Sequence, residues 1–208
     1  MRGGSAIGRG AAGAAVLILL WQLAATVLAR PFLPGPGAAF AALLRLAASG
    51  SLAVHGLASA SRVLWATATG FLPAAALGMA AGRSRRLDAL LSPAVYVLHP
   101  LPKVAFLPII LLVFGLGEFS KIFLVAFIIF SQILVAARDA ARRVPAQLID
   151  SVRSLGAGRL GLFRLAILPA VLPDLLTALR VSLGTATAVL FLAETFATDT
   201  GLGYLIVD

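Results

Sequence analysis

Two basic side chains stand inside long apolar stretches, where an ionisable group is by default a hypothesis of function. Lys103 lies between the prolines of one such stretch, and Arg180 lies about two turns into the last apolar run. Either cation could attract an anion. Arg180 could equally extend its head group to the membrane surface or pair with a carboxylate.

The stretch of residues 87–116 is apolar but holds several prolines, which deny amide donors and break a straight helix. We expect a short helix to about Leu98, a break at residues 99–103, and a span to about Phe114. Irregular backbone at membrane depth is tolerated only where protein buries it or water reaches it. The break is therefore a candidate pathway wall, although an ordinary kink or an interfacial turn fits equally well. The candidate pathway residues are His99, Pro100, Pro102, Lys103 and Arg180.

The residues needed for most catalytic chemistry are absent or isolated. The chain has no cysteine, which excludes disulfides, thiolate metal sites and cysteine nucleophiles. Its two histidines, His55 and His99, and its eight acidic residues argue against a metal site. Ser131 and His99 are too isolated to suggest a nucleophile with its base, and the sequence has no Gly-x-x-x-x-Gly-Lys-[Ser/Thr] loop for ATP. We therefore expect neither an enzyme nor a cofactor.

The composition indicates a membrane protein. Hydrophobic residues make up 61% of the 208 residues, charged residues only 12%, and the mean hydropathy is +1.03. A soluble core could not bury so much apolar surface, whereas lipid-facing side chains need no burial. The net charge of +9 could suggest nucleic acid. Arginines in cytoplasmic loops and near anionic lipid explain the charge better, so no nucleic-acid partner is expected.

Five apolar segments approach the ~20 residues that a membrane helix needs, which predicts an all-α, polytopic membrane helix bundle. They cover residues 11–29, 57–81, 87–116 with its break, 118–137 and 172–192. The first could be a signal peptide, but it is long and lacks a clean cleavage site, so we expect a retained helix. Residues 38–48 are expected to form a short helix outside the membrane.

The second span carries small residues at spacings of four, namely Gly70, Ala74, Gly78 and Gly82. Such a stripe lets another helix approach closely in lipid. It predicts helix packing and indicates little about function.

Lysines and arginines are distributed unevenly among the connecting segments. With the N-terminus in the cytoplasm, the inside segments hold eleven of them and the outside segments four. The excess of positive charge predicts that orientation. Glu118 and Glu194 then lie near the outer surface, and we expect a local i,i+3 pair between Glu118 and Lys121.

The longest polar stretch lies between the fourth and fifth spans. Pro145 is well placed to start a helix there, and Leu148, Val152 and Leu155 fall on one face of it. Gly156 ends this helix, and a second short helix is expected over residues 159–168. The exposed apolar ridge suits docking into a partner's groove, and it equally suits a helix on the membrane surface.

Residues 144–173 resemble the signature loop of ATP-binding-cassette (ABC) importer permeases, which has Glu-Ala-Ala, three residues, Gly and, further on, Leu-Pro. Asp150-Ser151-Val152, Gly156 and Leu168-Pro169 occupy those places here. Arg153-Ser154-Leu155-Gly156-Ala157 is similar to the nitrate/sulfonate/taurine branch. Further stretches that resemble this branch run through nearly the whole chain: Leu33-Pro34-x-Pro36, Ser59-x-x-Arg62-Val63, Gly70-Phe71, Pro100-x-Pro102, Phe114-Gly115-x-Gly117-Glu118-x-Ser120-Lys121-Ile122, Arg180, Glu194 and Gly201-Leu202-Gly203-Tyr204.

Two departures from the branch concern the cargo more than the fold. His99 stands where the branch commonly has arginine before Pro-x-Pro, and Phe130-Ser131-Gln132 replaces a Phe-Phe-Pro-like end of the fourth span. The branch also has one more hydrophobic helix after Tyr204. A sixth span is therefore expected of the family, where five are visible in this sequence.

The resemblance implies a mechanism. Two permease subunits, expected to be identical, would form a pathway for a small anionic or polar solute through the bacterial inner membrane. An external binding protein would deliver the solute, and ATPase subunits closing around ATP would push the loop. The chain would be one permease domain, residues 1–208, with its docking loop at residues 144–169. The expected docking residues are Leu148, Asp150, Ser151, Val152, Arg153, Leu155, Gly156 and Ala157.

Two rival interpretations remain. A secondary transporter or channel would need coupling groups within the spans, and few acids lie there. An internal repeat would favour it, and none is visible. A membrane scaffold without transport activity also fits the composition. Co-purification of an ATPase with the chain would discriminate among them.

Overall fold

The computed structural model describes residues 4–30, 33–98, 100–196 and 198–207. Within those ranges every regular element is helical, which confirms the all-α prediction. A 3₁₀ turn, Lys103–Phe106, precedes α5, and a π-helical turn, Phe163–Ile167, joins α8 to α9. The helices are α1 (Gly4–Leu28), α2 (Pro36–Ala48), α3 (Ser51–Arg83), α4 (Arg85–Leu98), α5 (Leu107–Phe114), α6 (Glu118–Arg143), α7 (Ala146–Ser154), α8 (Arg159–Leu162), α9 (Leu168–Phe196) and α10 (Leu202–Val207).

Four helical segments among the described residues are long and apolar enough to cross a membrane: Gly10–Leu28, Ser51–Arg83, Glu118–Arg143 and Arg159–Phe196. The third of the five predicted spans is not among them because a break divides it, as predicted. The third expected span divides into α4, with 14 residues, and α5, with 8 residues. Each is shorter than the ~20 residues that a single crossing needs.

Prolines cause this division. The backbone at Pro102 is extended, with φ −71° and ψ 93°, and Pro108 stands in the first turn of α5, where its missing amide costs nothing. α4 ends at Leu98, as predicted, while His99 lies outside the described residues. Single prolines inside α3, α4 and α9 leave those helices continuous.

The chain divides into two compact units, Met1–Ala53 and Val54–Asp208. In the first unit, the indole Nε1 of Trp21 donates to the carbonyl oxygen of Pro34 at 3.0 Å, which joins the end of α1 to the segment before α2. The described side chains of α1 are almost all exposed. An apolar helix that is exposed along its length is stable when lipid surrounds it.

The second unit is built around α3, α6 and α9. Its core includes fully buried aliphatic side chains from all three helices, among them Ala74 of α3, Ile129 and Ile133 of α6, and Leu190 of α9. Because this core is shared, the three long helices set the positions of the loops at both of their ends.

Close approach between α3 and α6 depends on the small-residue stripe of α3. A Cβ atom at Gly70 would lie 2.6 Å from the carbonyl oxygen of Ala126, and one at Gly78 would lie 2.6 Å from that of Leu134. A Cβ at Gly82 would meet the next part of α6. These contacts confirm that the stripe packs against another helix.

We predict that Gly78→Ala destabilises the protein by about 1–3 kcal/mol, since the added methyl group must push α6 away. The matched control is Gly56→Ala on the same helix, where a Cβ would meet nothing within 4 Å. Thermal melting of the two purified variants in detergent measures the difference. Equal melting temperatures would show that the approach of α3 to α6 is not as tight as described.

Candidate functional site

The polar stretch between α6 and α9 folds as two short helices at one end of the second unit. The extended backbone of Pro145 precedes α7, and α7 ends before Leu155. Gly156 has a positive φ of 84°, which glycine adopts without steric cost, and its N–H donates to the carbonyl oxygen of Arg153 at 2.9 Å. The predicted helix–turn–helix is confirmed, except that its second helix continues through the π-helical turn into α9.

The apolar side chains of this loop divide into an anchor and an exposed tip. Ile149 is 6% exposed and belongs to the main core cluster. Leu155 is 85% exposed and Leu148 38%, whereas Val152 is half-buried. The predicted ridge is therefore exposed only at its two leucines, because the burial of Ile149 turns Val152 toward the protein.

Polar groups flank the leucine tip. Asp150 and Arg153 are exposed and form a pair at 3.5 Å within α7. The hydroxyls of Ser151 and Ser154 donate to carbonyl oxygens of the same helix at 2.8 Å. Gly156 is exposed and Ala157 half-buried. An apolar centre with a polar rim has the composition of a protein–protein interface.

Ion pairs lie at the base of the loop. Nη2 of Arg143 is 2.8 Å from Oδ2 of Asp174, which joins the end of α6 to the start of α9. Arg138 and Arg142 both bind Asp88 of α4. The hydrogen bond from Arg138 is the main reason that the pKa of Asp88 lies below its usual value. Because the pKa of Asp88 is lower in the folded state than in the unfolded state, its ionised carboxylate stabilises the fold at neutral pH. This stabilisation is lost as the pH falls through the pKa that Asp88 has in the folded protein.

The predicted pathway residues lie on different elements. Pro100 and Pro102 are exposed at the break, and Lys103 starts the 3₁₀ turn. That turn packs against α6. Arg180 is exposed in the middle of α9, and His99 lies outside the described residues. The role of this set in a pathway stays a prediction.

A buried ion cluster at the other end of α6 was not predicted. Arg62 of α3 is 1% exposed and binds two carboxylates: its Nη2 lies 2.5 Å from Glu118 and its Nη1 2.5 Å from Glu194. It also donates to Thr200, at 2.8 Å to the carbonyl oxygen and 2.9 Å to the hydroxyl. Ser59, one turn before Arg62, lies 2.8 Å from both carboxylate oxygens of Glu194. We call these five residues the Arg62 cluster.

The expected local pair of Glu118 with Lys121 is wrong. Glu118 forms its salt bridge with Arg62, and Nζ of Lys121 instead donates to the carbonyl oxygen of Leu116 at 3.2 Å. Glu194, expected near the outer surface, is completely buried within the chain. The sequence signal was present in Ser59-x-x-Arg62 and Glu194, but their pairing spans more than a hundred residues.

Two glycines allow the segment after α9 to close over the Arg62 cluster. Gly201 has φ 128°, and a Cβ there would meet the Glu194 carboxylate. The N–H of Gly203 donates to Glu194 at 2.9 Å, and that of Gly201 donates to Nδ1 of His55 at 3.0 Å. A Cβ at Gly203 would collide with the carbonyl oxygen of Phe191, so neither glycine of the motif Gly-Leu-Gly-Tyr has room for a side chain.

Four helical segments among the described residues are long and apolar enough to cross a membrane, which defines the class of polytopic membrane proteins. The chain belongs to the family of binding-protein-dependent transport system inner membrane components, whose family model matches residues 74–208.

Individual relatives match most of the chain. The taurine transport system permease protein TauC of Escherichia coli (strain K12) is 35% identical over 199 residues, 92% of this chain and 72% of the relative. The putative aliphatic sulfonates transport permease protein SsuC of the same organism is 34% identical over 92% of this chain and 74% of its own length. The riboflavin transport system permease protein RibX of Chloroflexus aurantiacus is 33% identical, over 92% and 72% respectively.

The family fixes the role of the chain. It is the membrane-spanning permease subunit of an ABC importer, located in the inner membrane. It works with ATPase subunits and with a substrate-binding protein, as membership of a binding-protein-dependent transport system implies. The recognition made from the loop motif is thereby confirmed, and the secondary transporter and scaffold interpretations are set aside.

Proposed function

We propose that the chain forms the translocation pathway for a small anionic or polar solute, with an organic sulfonate as the first candidate. The names of TauC and SsuC support this cargo. Lys103 and Arg180 could attract its anionic group, because both cations lie within otherwise apolar segments. RibX has nearly the same sequence identity to this chain as TauC and SsuC, so the cargo is proposed from the sulfonate relatives together with the two cations.

The docking loop is the part that the geometry supports best. Its single strongest feature is Leu155, which is 85% exposed at the tip of a helix whose other side is anchored by buried Ile149. An exposed leucine on a fixed support, surrounded by polar groups, suits insertion into a groove of a partner. We infer that residues 144–169 bind the ATPase subunit.

The positions of the arginines support the predicted orientation. Asp88 of α4 pairs with Arg138 and Arg142 near the end of α6, so the arginine-rich segment after α3 and the docking loop lie at the same end of the second unit. This clustering supports a cytoplasmic location for that end, and hence for the N-terminus, under the positive-inside rule. Two identical copies of a single permease domain, residues 1–208, would enclose the pathway within lipid.

Co-purification tests the docking role. The tagged chain, expressed with the ATPase encoded beside it, should retain that ATPase through affinity and size-exclusion steps in mild detergent. A chain that reaches the membrane in normal amount but never retains the ATPase would contradict the proposal. A thermal-shift screen of the neighbouring binding protein with sulfonates, amino acids and riboflavin would identify the cargo, because a ligand that binds only the folded state raises its melting temperature.

A further inference from the structure

An apolar slot of about 300 Å³ lies between the C-terminal end of α3 and the π-helical turn that leads into α9. Single π-helical turns are frequent at functional sites. Arg83, the last residue of α3, lines one end of the slot. The apolar lining residues are Ala76, Met79, Ala80, Phe163 and Ile167. None of these six residues belongs to the expected docking residues or to the predicted pathway set.

The surface around the slot is apolar and exposed. Ala76 and Ala80, which line the slot, are exposed on α3. Large apolar side chains beside it, namely Leu77, Leu160 and Leu165, are also exposed. Apolar surface of this extent is costly in water and costs nothing against hydrocarbon. The slot is therefore reached from the lipid, and an acyl chain matches its lining.

The end of the second unit at which the slot lies has an excess of positive charge. Residues 82–88 and 138–174 hold nine arginines and four aspartates, a net charge of +5 with every carboxylate counted. The fourth aspartate, Asp139, lines a groove between α6 and α9. The other three pair with four of the arginines: Asp88 with Arg138 and Arg142, Asp174 with Arg143, and Asp150 with Arg153.

The other five arginines of this end are exposed and form no ion pair with the described residues: Arg83, Arg85, Arg86, Arg159 and Arg164. Two of them lie at the slot. Arg83 lines it, and Arg159 lies one helical turn before Phe163, whose N–H donates to the carbonyl oxygen of Arg159. Guanidinium groups bind phosphate oxygens in a bidentate geometry. An apolar slot with two uncommitted guanidinium groups on its loop side therefore matches a ligand that has both a hydrocarbon chain and a phosphate.

We propose that this slot binds one anionic phospholipid of the inner membrane. An acyl chain packs against Met79, Phe163 and Ile167, and Arg83 and Arg159 bind the phosphate of the headgroup. Basic pockets between membrane helices are typical sites for anionic headgroups, whereas a diffuse attraction of basic loops to the membrane surface needs no slot. The site requires the membrane location of the chain, and it requires neither a particular cargo nor the docking of the ATPase.

Native mass spectrometry measures this lipid binding directly. The full chain is purified in detergent with the subunits that it retains, stripped of lipid, and titrated with phosphatidylglycerol, which is anionic, or phosphatidylethanolamine, which is zwitterionic. The variant Arg83→Gln/Arg159→Gln removes both headgroup contacts at exposed positions, where the fold loses little. Its matched control is Arg85→Gln/Arg86→Gln, which removes the same charge at exposed positions of the same end that do not line the slot.

We expect phosphatidylglycerol to bind Arg83→Gln/Arg159→Gln about 30-fold more weakly than the unchanged protein, since each arginine at the membrane surface contributes about a fivefold factor to the binding of an anionic lipid. The control variant should lose less than about threefold, because salt screens charges that do not touch the headgroup. Phosphatidylethanolamine should bind the unchanged protein more weakly, because its ammonium group offsets the phosphate. Ala80→Phe, which fills the slot and keeps both arginines, should weaken the binding of both lipids.

Four results would overturn this site. Equal loss of binding in the two double variants would show a diffuse attraction to basic loops, and unchanged binding to Ala80→Phe would show that no acyl chain enters the slot. Displacement of the lipid by inorganic phosphate, but not by sodium chloride of equal ionic strength, would show that the arginines take a free anion. The chain has no cysteine, so a disulfide between two Ala80→Cys copies, or shielding of that thiol by the ATPase in lipid-free protein, would show that a protein covers the slot.

Discussion

Leu155→Asp should abolish ATP-driven transport while leaving the permease folded in the membrane. The side chain is 85% exposed, so the substitution costs the fold little. Central apolar anchors of interfaces contribute about 2 kcal/mol or more to binding, and that loss weakens ATPase binding by about 30-fold. Retention of the ATPase on the tagged permease and ATP-dependent uptake into proteoliposomes are the two measurements.

Two control variants separate loss of docking from general damage. Leu155→Met keeps the apolar contact and should retain both the ATPase and uptake. Leu43→Asp places the same charge at another exposed leucine, on α2, and should also retain the ATPase. If Leu155→Asp behaves like these controls, the loop lies on the membrane surface and does not bind the ATPase.

Arg62→Met should destabilise the folded permease by about 3–5 kcal/mol, because removal of one partner leaves a buried charge uncompensated. Glu194 is completely buried and would keep hydrogen bonds from the uncharged hydroxyl of Ser59 and N–H of Gly203. Melting of the purified protein, followed by fluorescence-detected size exclusion, should show a large fall in midpoint or loss of the monodisperse peak. Arg45→Met, at an exposed position on α2, should change little.

A second variant distinguishes an electrostatic effect from lost packing. If the loss of stability arises from the uncompensated carboxylate, adding Glu194→Gln to Arg62→Met should recover part of it. A buried neutral amide costs less free energy than a buried unpaired charge. Glu118→Gln alone should have a smaller effect, because the Glu118 side chain is 59% exposed and solvent screens its pairing. A double variant less stable than Arg62→Met would contradict the electrostatic account.

Structural features that depend on residues close together in the sequence could be predicted. The lengths of the apolar segments predicted the long helices. The spacing of small residues predicted the packing face of α3, and Pro145 and Gly156 predicted the limits of the loop helix. The break near Pro102 was also expected from proline chemistry.

Features that depend on distant pairing could not be predicted. Arg62 and Glu118 are 56 residues apart, and Arg62 and Glu194 are 132 apart. From sequence the only visible partner for Glu118 was Lys121 at i+3, so the local rule selected the wrong cation.

We propose that this chain moves solute only when an ATPase drives its docking loop. The most direct measurement is accumulation of labelled taurine in proteoliposomes that contain the chain, its ATPase and its binding protein. We expect accumulation that requires ATP and all three components and that disappears with Leu155→Asp. Accumulation that continues without the ATPase, or that an ion gradient alone drives, would contradict it.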